Sequence, residues 1–204
     1  GGSNPLRLSA PLVAGGAVFC WGRGDWGNIG DGASRLRNAT PQAADGLVSI
    51  SLLAAGRQHT CGAAAGGLLC WGRNDLGQVG VRDRDWHAVP ERALPTGARA
   101  FGLGANHGCI CVAMASLPPS AQGLHCWGNN SYGQLGVPPS ADALGPQRID
   151  PRCSQVLAGG EAFTCEIETA PGTVNCWGAN HFGQLGDGTQ VSRHTVAPAL
   201  DLAG

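Results

Sequence analysis

The sequence contains no lysine, so all thirteen of its basic residues are arginine. Only 13% of the 204 residues are charged, and the formal net charge at pH 7 is −1. A protein that binds nucleic acid through the phosphate backbone needs a clear excess of basic residues. The charge balance excludes such a basic footprint, and we expect no nucleic-acid partner.

Long apolar runs are also missing. No eighteen consecutive apolar residues occur, so the sequence predicts no transmembrane helix and no direct membrane insertion. Helical periodicity with capping residues is absent as well. Glycine, in contrast, is abundant, with 34 residues, and thirteen prolines accompany it. This composition favours a loop-rich, all-β fold.

Sequence motifs for catalysis are absent too. We find no phosphate-binding loop, no calcium loop and no Ser-His-Asp motif. Asp83 and Asp85 alternate with arginines, which indicates a solvated loop. Glu161, Glu166 and Glu168 cluster in the sequence, and the last two share a strand face, which we interpret as exposed charge. We therefore predict a protein that is not an enzyme and needs no cofactor.

The sequence does contain one motif, Cys-Trp-Gly-x-x-x-x-Gly, in four copies. Its tryptophans are Trp21, Trp71, Trp127 and Trp177, with successive spacings of 50, 56 and 50 residues. A motif that recurs at such a period indicates a repeat protein, in which each repeat forms one supersecondary unit. We place a single domain at 1–204, with repeats at approximately 1–55, 56–103, 104–158 and 159–204.

Each repeat has the pattern of short strands separated by glycine. In the second repeat, the apolar run at 47–55 ends at Gly56, and the turn at 66–67 precedes the run that contains Trp71. These runs are too short for helices. About four short strands per repeat, arranged radially, predict a β-propeller, with the tryptophan packed between neighbouring blades.

The side-chain amides of the motif have a predicted role as well. Loop backbone that no strand pairs needs other hydrogen-bonding partners, and asparagine and glutamine side chains can supply them. The amides expected to do so belong to Asn74, Asn130, Asn180, Gln78, Gln134 and Gln184.

The phrase Trp-Gly-x-Asn-x-x-Gly-Gln-Leu-Gly, as at 127–136, resembles the repeat of the regulator of chromosome condensation family. The resemblance covers nearly the whole chain, and the first copy departs most, with Gly24 and Asn28 in place of the usual Asn and Gln. Members of this family form seven-bladed propellers, so the resemblance implies that fold. Residues 201–204 resemble the start of another unit. We therefore expect part of a longer propeller, or else a four-bladed variant closed by pairing of its ends.

Nine cysteines are present, and six of them occupy equivalent places in successive repeats. Adjacent antiparallel strands bring such side chains within disulfide range. The predicted pairs are Cys61 with Cys70, Cys109 with Cys126, and Cys165 with Cys176. Cys20 lacks a partner because Pro11 occupies the matching place. Cys111 and Cys153 either pair with each other, or one of them pairs with Cys20.

Structural disulfides indicate an oxidising compartment. Two N-glycosylation sequons, at Asn38 and Asn129, agree with this interpretation. We expect an extracellular or secretory-pathway location, including the cell surface. A rival interpretation is a zinc site formed by the Cys-x-Cys at 109–111 and the His-Cys at 125–126. That spacing does not recur in the other repeats, so we expect no metal.

Two sets of equivalent positions bear on function. His59 and His107 are equivalent to Phe163, and a position that accepts either residue type favours packing over catalysis. A second set holds large apolar residues two positions after the motif asparagine. Such residues could form a recognition ring on one rim of the propeller, or each could cover the neighbouring blade. They are Trp26, Leu76, Tyr132 and Phe182.

These observations favour a non-catalytic extracellular module that binds proteins or acts as a scaffold in a larger assembly. The resemblance adds a secreted inhibitor of an enzyme such as a hydrolase, since the family includes β-lactamase inhibitory propellers. It also adds a guanine-nucleotide exchange factor for a small GTPase, which the missing basic tail and the paired cysteines disfavour. A light-sensing role like that of the plant ultraviolet-B photoreceptor lacks support. Its Gly-Trp-Arg-His-Thr motif would place tryptophan at Arg57, Ala105 and Glu161.

Overall fold

The computed structural model describes residues 9–14, 17–47, 49–64, 66–94, 98–114, 116–168 and 172–199. Within these ranges, fifteen β-strands form four antiparallel sheets, and one turn of 3-10 helix at Pro119–Ala121 is the only helical segment. The sheets follow one another along the chain. The architecture is therefore the all-β propeller arrangement that the repeat predicts.

The first sheet contains three described strands, and each of the others contains the expected four. The first is β1 (Ser9–Ala14), β2 (Ala17–Gly24) and β3 (Arg35–Ala43). The second is β4 (Leu52–Ala55), β5 (His59–Ala64), β6 (Gly67–Gly72) and β7 (His87–Leu94). The third is β8 (Ala100–Leu103), β9 (His107–Val112), β10 (Gly123–Gly128) and β11 (Ala143–Asp150). The fourth is β12 (Ser154–Gly159), β13 (Phe163–Glu168), β14 (Val174–Gly178) and β15 (Arg193–Pro198).

The first strand of each sheet packs against the first strand of the next, so β1, β4, β8 and β12 adjoin in turn. Backbone hydrogen bonds join the loops that follow them, from Arg57 N to Ala105 O (3.1 Å) and from Ala105 N to Gly160 O (2.9 Å). These strands therefore lie at the centre, and the sheets radiate outward from them. The repeats as divided from the sequence are offset from the sheets by this one strand.

Within the described ranges, β12 and β1 do not pack against each other as successive first strands do. The terminal residues that a four-bladed variant would pair, 1–8 and 200–204, lie outside the described residues. They include residues 201–204, whose likeness to the start of a repeat suggested a further unit.

Tryptophan side chains fill the junctions between sheets, as the sequence predicts. Trp127 has no exposed surface, and its Nε1 donates to Gln78 O of the preceding repeat at 2.9 Å. The ring also needs Gly80, because a Cβ there would lie 2.9 Å from Trp127 Cδ1, and Gly80 has a positive φ of 82°. The equivalent bonds run from Trp71 Nε1 to Asn28 O (3.2 Å) and from Trp177 Nε1 to Gln134 O (2.9 Å).

The described chain contains four disulfides. Three of them join the second and third strands within a sheet and are the pairs predicted above: Cys61–Cys70, Cys109–Cys126 and Cys165–Cys176. The fourth joins Cys111 in β9 to Cys153 just before β12, so it ties the third sheet to the fourth. Of the two pairings that the sequence left open, the structure therefore has the one between Cys111 and Cys153.

Cys20 is the free cysteine of the described chain, and it is buried. Burial, and to a lesser degree the charge of Asp31, raise the pKa of its thiol to about 12. Because the thiolate is the reactive form, this cysteine is inert in the folded protein.

Candidate protein-binding rim

In the second, third and fourth repeats, the turn that follows the motif tryptophan is held by the amides of the motif itself. In the second repeat, Asn74 Oδ1 accepts from Val79 N at 2.9 Å, and Gln78 Oε1 accepts from Leu76 N at 2.8 Å. The third repeat contains the same two bonds, in which Leu135 N donates to Asn130 Oδ1 and Tyr132 N donates to Gln134 Oε1. In the fourth repeat, Leu185 N donates to Asn180 Oδ1 and Phe182 N donates to Gln184 Oε1. The predicted role of these amides is confirmed, and the apex residue of each of these three repeats has a backbone N–H held by a side chain. We call the four apices, at Trp26, Leu76, Tyr132 and Phe182, together with the loop at 82–86 beside the second apex, the rim.

The first two apex residues are partly covered by their surroundings. Trp26 is half-buried, and the guanidinium carbon of Arg73 lies over its ring, 5.0 Å from the ring centroid. Arg73 belongs to the next repeat, so this cation–π contact packs one unit against its neighbour. Leu76 is half-buried as well. Trp26 thus has a contact of the covering kind that the sequence offered as the alternative to a contact surface.

The other two apex residues are open to solvent. Tyr132 is 44% exposed, although His181 of the next repeat meets its ring edge-to-face with 5.4 Å between ring centroids. Phe182 is 91% exposed. Exposure along the rim therefore increases toward the fourth repeat.

Trp86 adds an exposed aromatic side chain that the sequence indicated only as part of a solvated loop. It is 47% exposed and lies two residues before Ala88, which packs against Gly27 of the first repeat. In the same loop, Arg84 donates to the backbone carbonyl of Asp75, which fixes the loop beside the second apex. The sequence did not indicate Trp86 as a separate candidate, because the alternating charges before it are typical of a solvated loop.

Several charges at the rim are paired with one another. The three pairs are Arg23–Asp25 (2.6 Å), Arg73–Asp75 (2.5 Å) and Arg84–Asp142 (3.2 Å). All are partly exposed, so each contributes at most about 1 kcal/mol to stability. These six charged side chains are therefore neutralised in pairs.

His59 and His107 each pack against the glycine three residues earlier, as Phe163 of the fourth repeat does. A Cβ on Gly56 would lie 2.2 Å from His59 Cε1, and one on Gly160 would lie 1.9 Å from Phe163 Cε1. Burial lowers the pKa of His59 to about 3 and that of His107 to about 4. Both rings are therefore neutral at pH 7, which supports the packing interpretation.

The two histidines differ in their hydrogen bonds. His107 Nε2 lies 2.9 Å from Thr164 Oγ1, which itself donates to Gln134 O at 2.9 Å. The residue of the third repeat that matches Thr164 is Gly108, which has no hydroxyl group. Both ring nitrogens of His59 are buried and have no partner among the described residues.

We expect His59→Phe to raise the free energy of unfolding by about 1–2 kcal/mol at pH 7, because it removes a buried group without partners. His107→Phe is the matched control, and it should give no such gain because it breaks the bond to Thr164. Urea unfolding followed by tryptophan fluorescence measures both. An unchanged or lower stability of His59→Phe would show that His59 has a partner.

The pH dependence gives a second readout of the same variant. The unfolded chain takes up a proton near pH 6.5, whereas folded His59 stays neutral, so the native protein loses stability as the pH falls below 6.5. His59→Phe should lose less stability than the wild type between pH 7 and pH 5.

The described ranges do not assemble a metal-binding set. They contain no group of three or more His, Cys, Asp or Glu side chains able to hold a metal ion. Cys109 and Cys111 of the rival zinc interpretation are in disulfides. None of the described helical structure is long and apolar enough to cross a membrane.

The expectation of exposed charge on β13 was wrong for Glu166, which is only 7% exposed. Ser154 Oγ donates to its carboxylate, and Asn175 Nδ2 donates to Oε1 at 3.3 Å. The reason is the orientation of the strand. Thr164, on the same face of β13, binds Gln134 O, so this face packs toward the third sheet.

The two sequon asparagines differ in their surroundings. Asn129 Nδ2 donates to Ser131 Oγ and to Asp142 Oδ1, both at 3.0 Å. Asn38 Nδ2, in β3, is buried and has no hydrogen-bond partner among the described residues. Because an N-linked glycan is attached at this nitrogen, glycosylation of the folded protein would have to displace the hydrogen bonds of Asn129 and uncover the nitrogen of Asn38.

Fold and rim together define a repeat-built β-propeller protein. Family models of the regulator of chromosome condensation (RCC1) repeat match residues 15–63, 50–78 and 123–165, which together make up more than half of the chain. The protein belongs to the RCC1 repeat family.

Three proteins of similar sequence or structure are all longer than this chain. The ultraviolet-B receptor UVR8 of Arabidopsis thaliana is 32% identical over 170 residues, which are 75% of this chain and 36% of that protein. The structure of Prp20p from Saccharomyces cerevisiae, described with its binding to Gsp1p and histones, has a TM-score of 0.76 at 21% identity and covers 92% of this chain and 47% of its own. The structure of human WBSCR16 has a TM-score of 0.77 at 18% identity, and the match covers 92% of this chain and 48% of WBSCR16. The chain thus spans between a third and a half of the length of these proteins.

Proposed function

We propose that this protein is a non-catalytic module that binds a protein partner through its rim, in an extracellular or secretory compartment. The observation that carries the proposal is the pair of exposed aromatic residues, Tyr132 and Trp86, on backbone held by side-chain hydrogen bonds. Tyrosine and tryptophan are enriched among residues that dominate binding energy. A rigid turn also loses less conformational entropy on binding than a mobile loop does.

Four disulfides support the compartment. Cytosolic and nuclear proteins rarely retain structural disulfides, because the thiol pool there is reducing. Peptide mapping of the native protein without reductant tests this part of the proposal. Disulfide-linked peptides for all four pairs would support it, and free thiols at Cys61 and Cys70 would overturn it.

The rim is tested by sorting a displayed library of secreted proteins from the source organism against the purified chain. We expect Tyr132→Ala with Trp86→Ala to weaken binding of the selected partner at least tenfold, because hot-spot truncations cost about 2 kcal/mol or more each. Stability should change by less than about 0.5 kcal/mol, since both side chains are exposed.

Val156→Ala is the matched control for the rim variant. Val156 is also exposed, but it lies in β12, the first strand of the fourth sheet, and not in an apex turn. It should leave binding unchanged. A partner that binds the rim double variant as tightly as the wild type would refute a rim interface.

The same partner distinguishes the alternatives. If the captured protein is a secreted hydrolase whose activity falls on binding, the module is an inhibitor rather than a scaffold. An exchange-factor role is tested by the release of a fluorescent guanine nucleotide from Gsp1p, the protein that Prp20p binds. We expect no acceleration, and acceleration would replace our proposal with exchange activity.

A further inference from the structure

In three of the four repeats, the residue two places after the last motif glycine has a left-handed backbone conformation. Gly32 of the first repeat and Gly188 of the fourth both have a φ of 76° there. The second repeat has Arg82 at this position, with a φ of 71°, although a side chain makes that region unfavourable. Strained residues of this kind persist where the surrounding structure compensates the strain, and they cluster at functional sites.

The outer strand of the next repeat is adapted to the Arg82 side chain. Gly32 N and Arg82 N each donate to a carbonyl of that strand, at 3.0 and 2.7 Å. The residue after the acceptor is Val89 in β7, and a Cβ at Gly32 would lie 3.7 Å from its Cγ1. In β11 the residue after the acceptor is Gly145, where a Cβ would lie 2.9 Å from Arg82 Cγ. The glycine and the larger residue have therefore exchanged sides between the two junctions.

Packing over Gly145 accounts for the aliphatic stem of Arg82 but not for its charged end. Arg82 is exposed, and its guanidinium makes no hydrogen bond or ion pair within the described part of the chain. A glycine would adopt the same conformation without strain, as Gly32 does. The strained arginine thus presents a positive charge that the fold itself does not use.

Side chains in the middle of the loop at 82–86 hold that loop in place. Asp83 Oδ1 accepts a hydrogen bond from Asn74 Nδ2 at 2.7 Å, so the loop is tied to the second motif turn. Arg84 pairs with Asp142 of the third repeat at 3.2 Å. Side chains on a loop fixed in this way lose little conformational freedom when they bind a partner.

Three side chains of this loop are left without such contacts. Arg82 begins the loop, and Trp86, which is 47% exposed, ends it. Asp85 is exposed next to Trp86, and its carboxylate makes no hydrogen bond or ion pair among the described residues. Of the two unpaired charges, Arg82 alone occupies a strained position that a neighbouring strand accommodates.

We propose that Arg82 binds a carboxylate of an acidic peptide segment in the partner protein, and that an apolar side chain of the same segment packs on Trp86. This inference rests on the rim interface proposed above and names the chemistry of the partner there. The planar guanidinium binds a carboxylate through two parallel hydrogen bonds, and an exposed indole offers a large apolar surface. Because Asp85 adjoins Trp86, the acidic group of the segment lies toward Arg82.

Sorting a displayed library of short random peptides against the purified 204-residue chain tests this proposal. We expect the selected peptides to share Asp or Glu near a large apolar residue. A synthetic peptide of the most enriched sequence should bind Arg82→Gln at least about tenfold more weakly than the wild type, because the charge-assisted hydrogen bonds are lost. Arg82→Lys, which keeps the charge but not the planar fork, should bind with intermediate affinity.

Arg99→Gln is the matched control for the loss of charge. Arg99 is also exposed, but it lies just before β8, where its N–H bonds Cys111 O at the end of β9 remote from the apex turns. This variant should leave peptide binding unchanged. Asp85→Asn should bind the peptide at least as tightly as the wild type, because it removes a charge that repels an acidic segment.

Urea unfolding separates a binding role of Arg82 from a structural one. Arg82→Gln retains most of the stem over Gly145, so its unfolding midpoint should match that of the wild type. A lower midpoint with unchanged peptide affinity would assign Arg82 a structural role and refute the proposal. Weaker binding to Asp85→Asn would contradict the acidic character of the segment.

The selection also distinguishes this inference from the proposed function. If a selected peptide loses affinity for the double variant Tyr132→Ala with Trp86→Ala but not for Arg82→Gln, the rim interface stands and the role of Arg82 is refuted. Enrichment of peptides that lack acidic residues would lead to the same conclusion. A peptide that binds both variants as tightly as the wild type, or a library from which nothing is enriched, would count against both proposals.

Discussion

Replacing Trp127 by alanine should lower the free energy of unfolding by about 3–5 kcal/mol, the range for deleting a buried tryptophan. The side chain has no exposed surface and packs with Leu68, Val79 and Ile110 between the second and third sheets. The substitution also leaves Gln78 O without the indole donor that it now has. The cost should therefore lie in the upper part of this range.

Trp21→Ala is the matched control for this substitution, since it removes the same side chain from the same motif position. Trp21 is only partly buried, so we expect a clearly smaller loss. Both variants should be measured by urea denaturation under the same conditions. Equal losses would mean that the junction is not stabilised mainly by its tryptophan.

Removing the disulfide between the third and fourth sheets, with Cys111→Ala and Cys153→Ala together, should cost about 4 kcal/mol. This figure follows from the chain-entropy model for the 42-residue separation of the two cysteines. Thermal and urea unfolding of the double variant measure the loss.

The control for the double variant is the pair Cys165→Ala and Cys176→Ala, whose disulfide spans only 11 residues. The same model gives about 3 kcal/mol for this pair. Hydrogen exchange adds a structural readout, because only loss of the Cys111–Cys153 bond should reduce protection in β12 relative to β9. If the short-range pair proved the more costly, loop closure would not be the dominant contribution.

The repetition in the sequence was sufficient to predict the architecture. The repeats share tryptophans at a regular period, glycines at fixed offsets and amides in the motif turns. Because these residues make the same contacts in successive repeats, the structure predicted for one repeat applies to the others. The three disulfides within sheets followed from the same equivalence. The Cys111–Cys153 bond did not, because neither cysteine has a counterpart in the other repeats.

Features that depend on two neighbouring repeats were harder to predict. Glu166 is buried because its strand face packs toward the third sheet, and a single repeat gives no sign of that. His59 lacks a partner because Gly108, one repeat later, has no hydroxyl group. Trp26 and Tyr132 occupy equivalent positions, yet the residue that the next repeat places beside each one decides how far it is covered.

The uneven placement of the disulfides has a consequence for the order in which the molecule comes apart. In an array where each sheet contacts mainly its neighbours, stability is a sum of local contributions. The Cys111–Cys153 bond joins the third sheet to the fourth, so we expect these two sheets to open together. The Cys61–Cys70 bond lies within the second sheet and Cys20 is free, so the first and second sheets are joined to their neighbours by the main chain and non-covalent contacts alone, and we expect their junctions to open more readily.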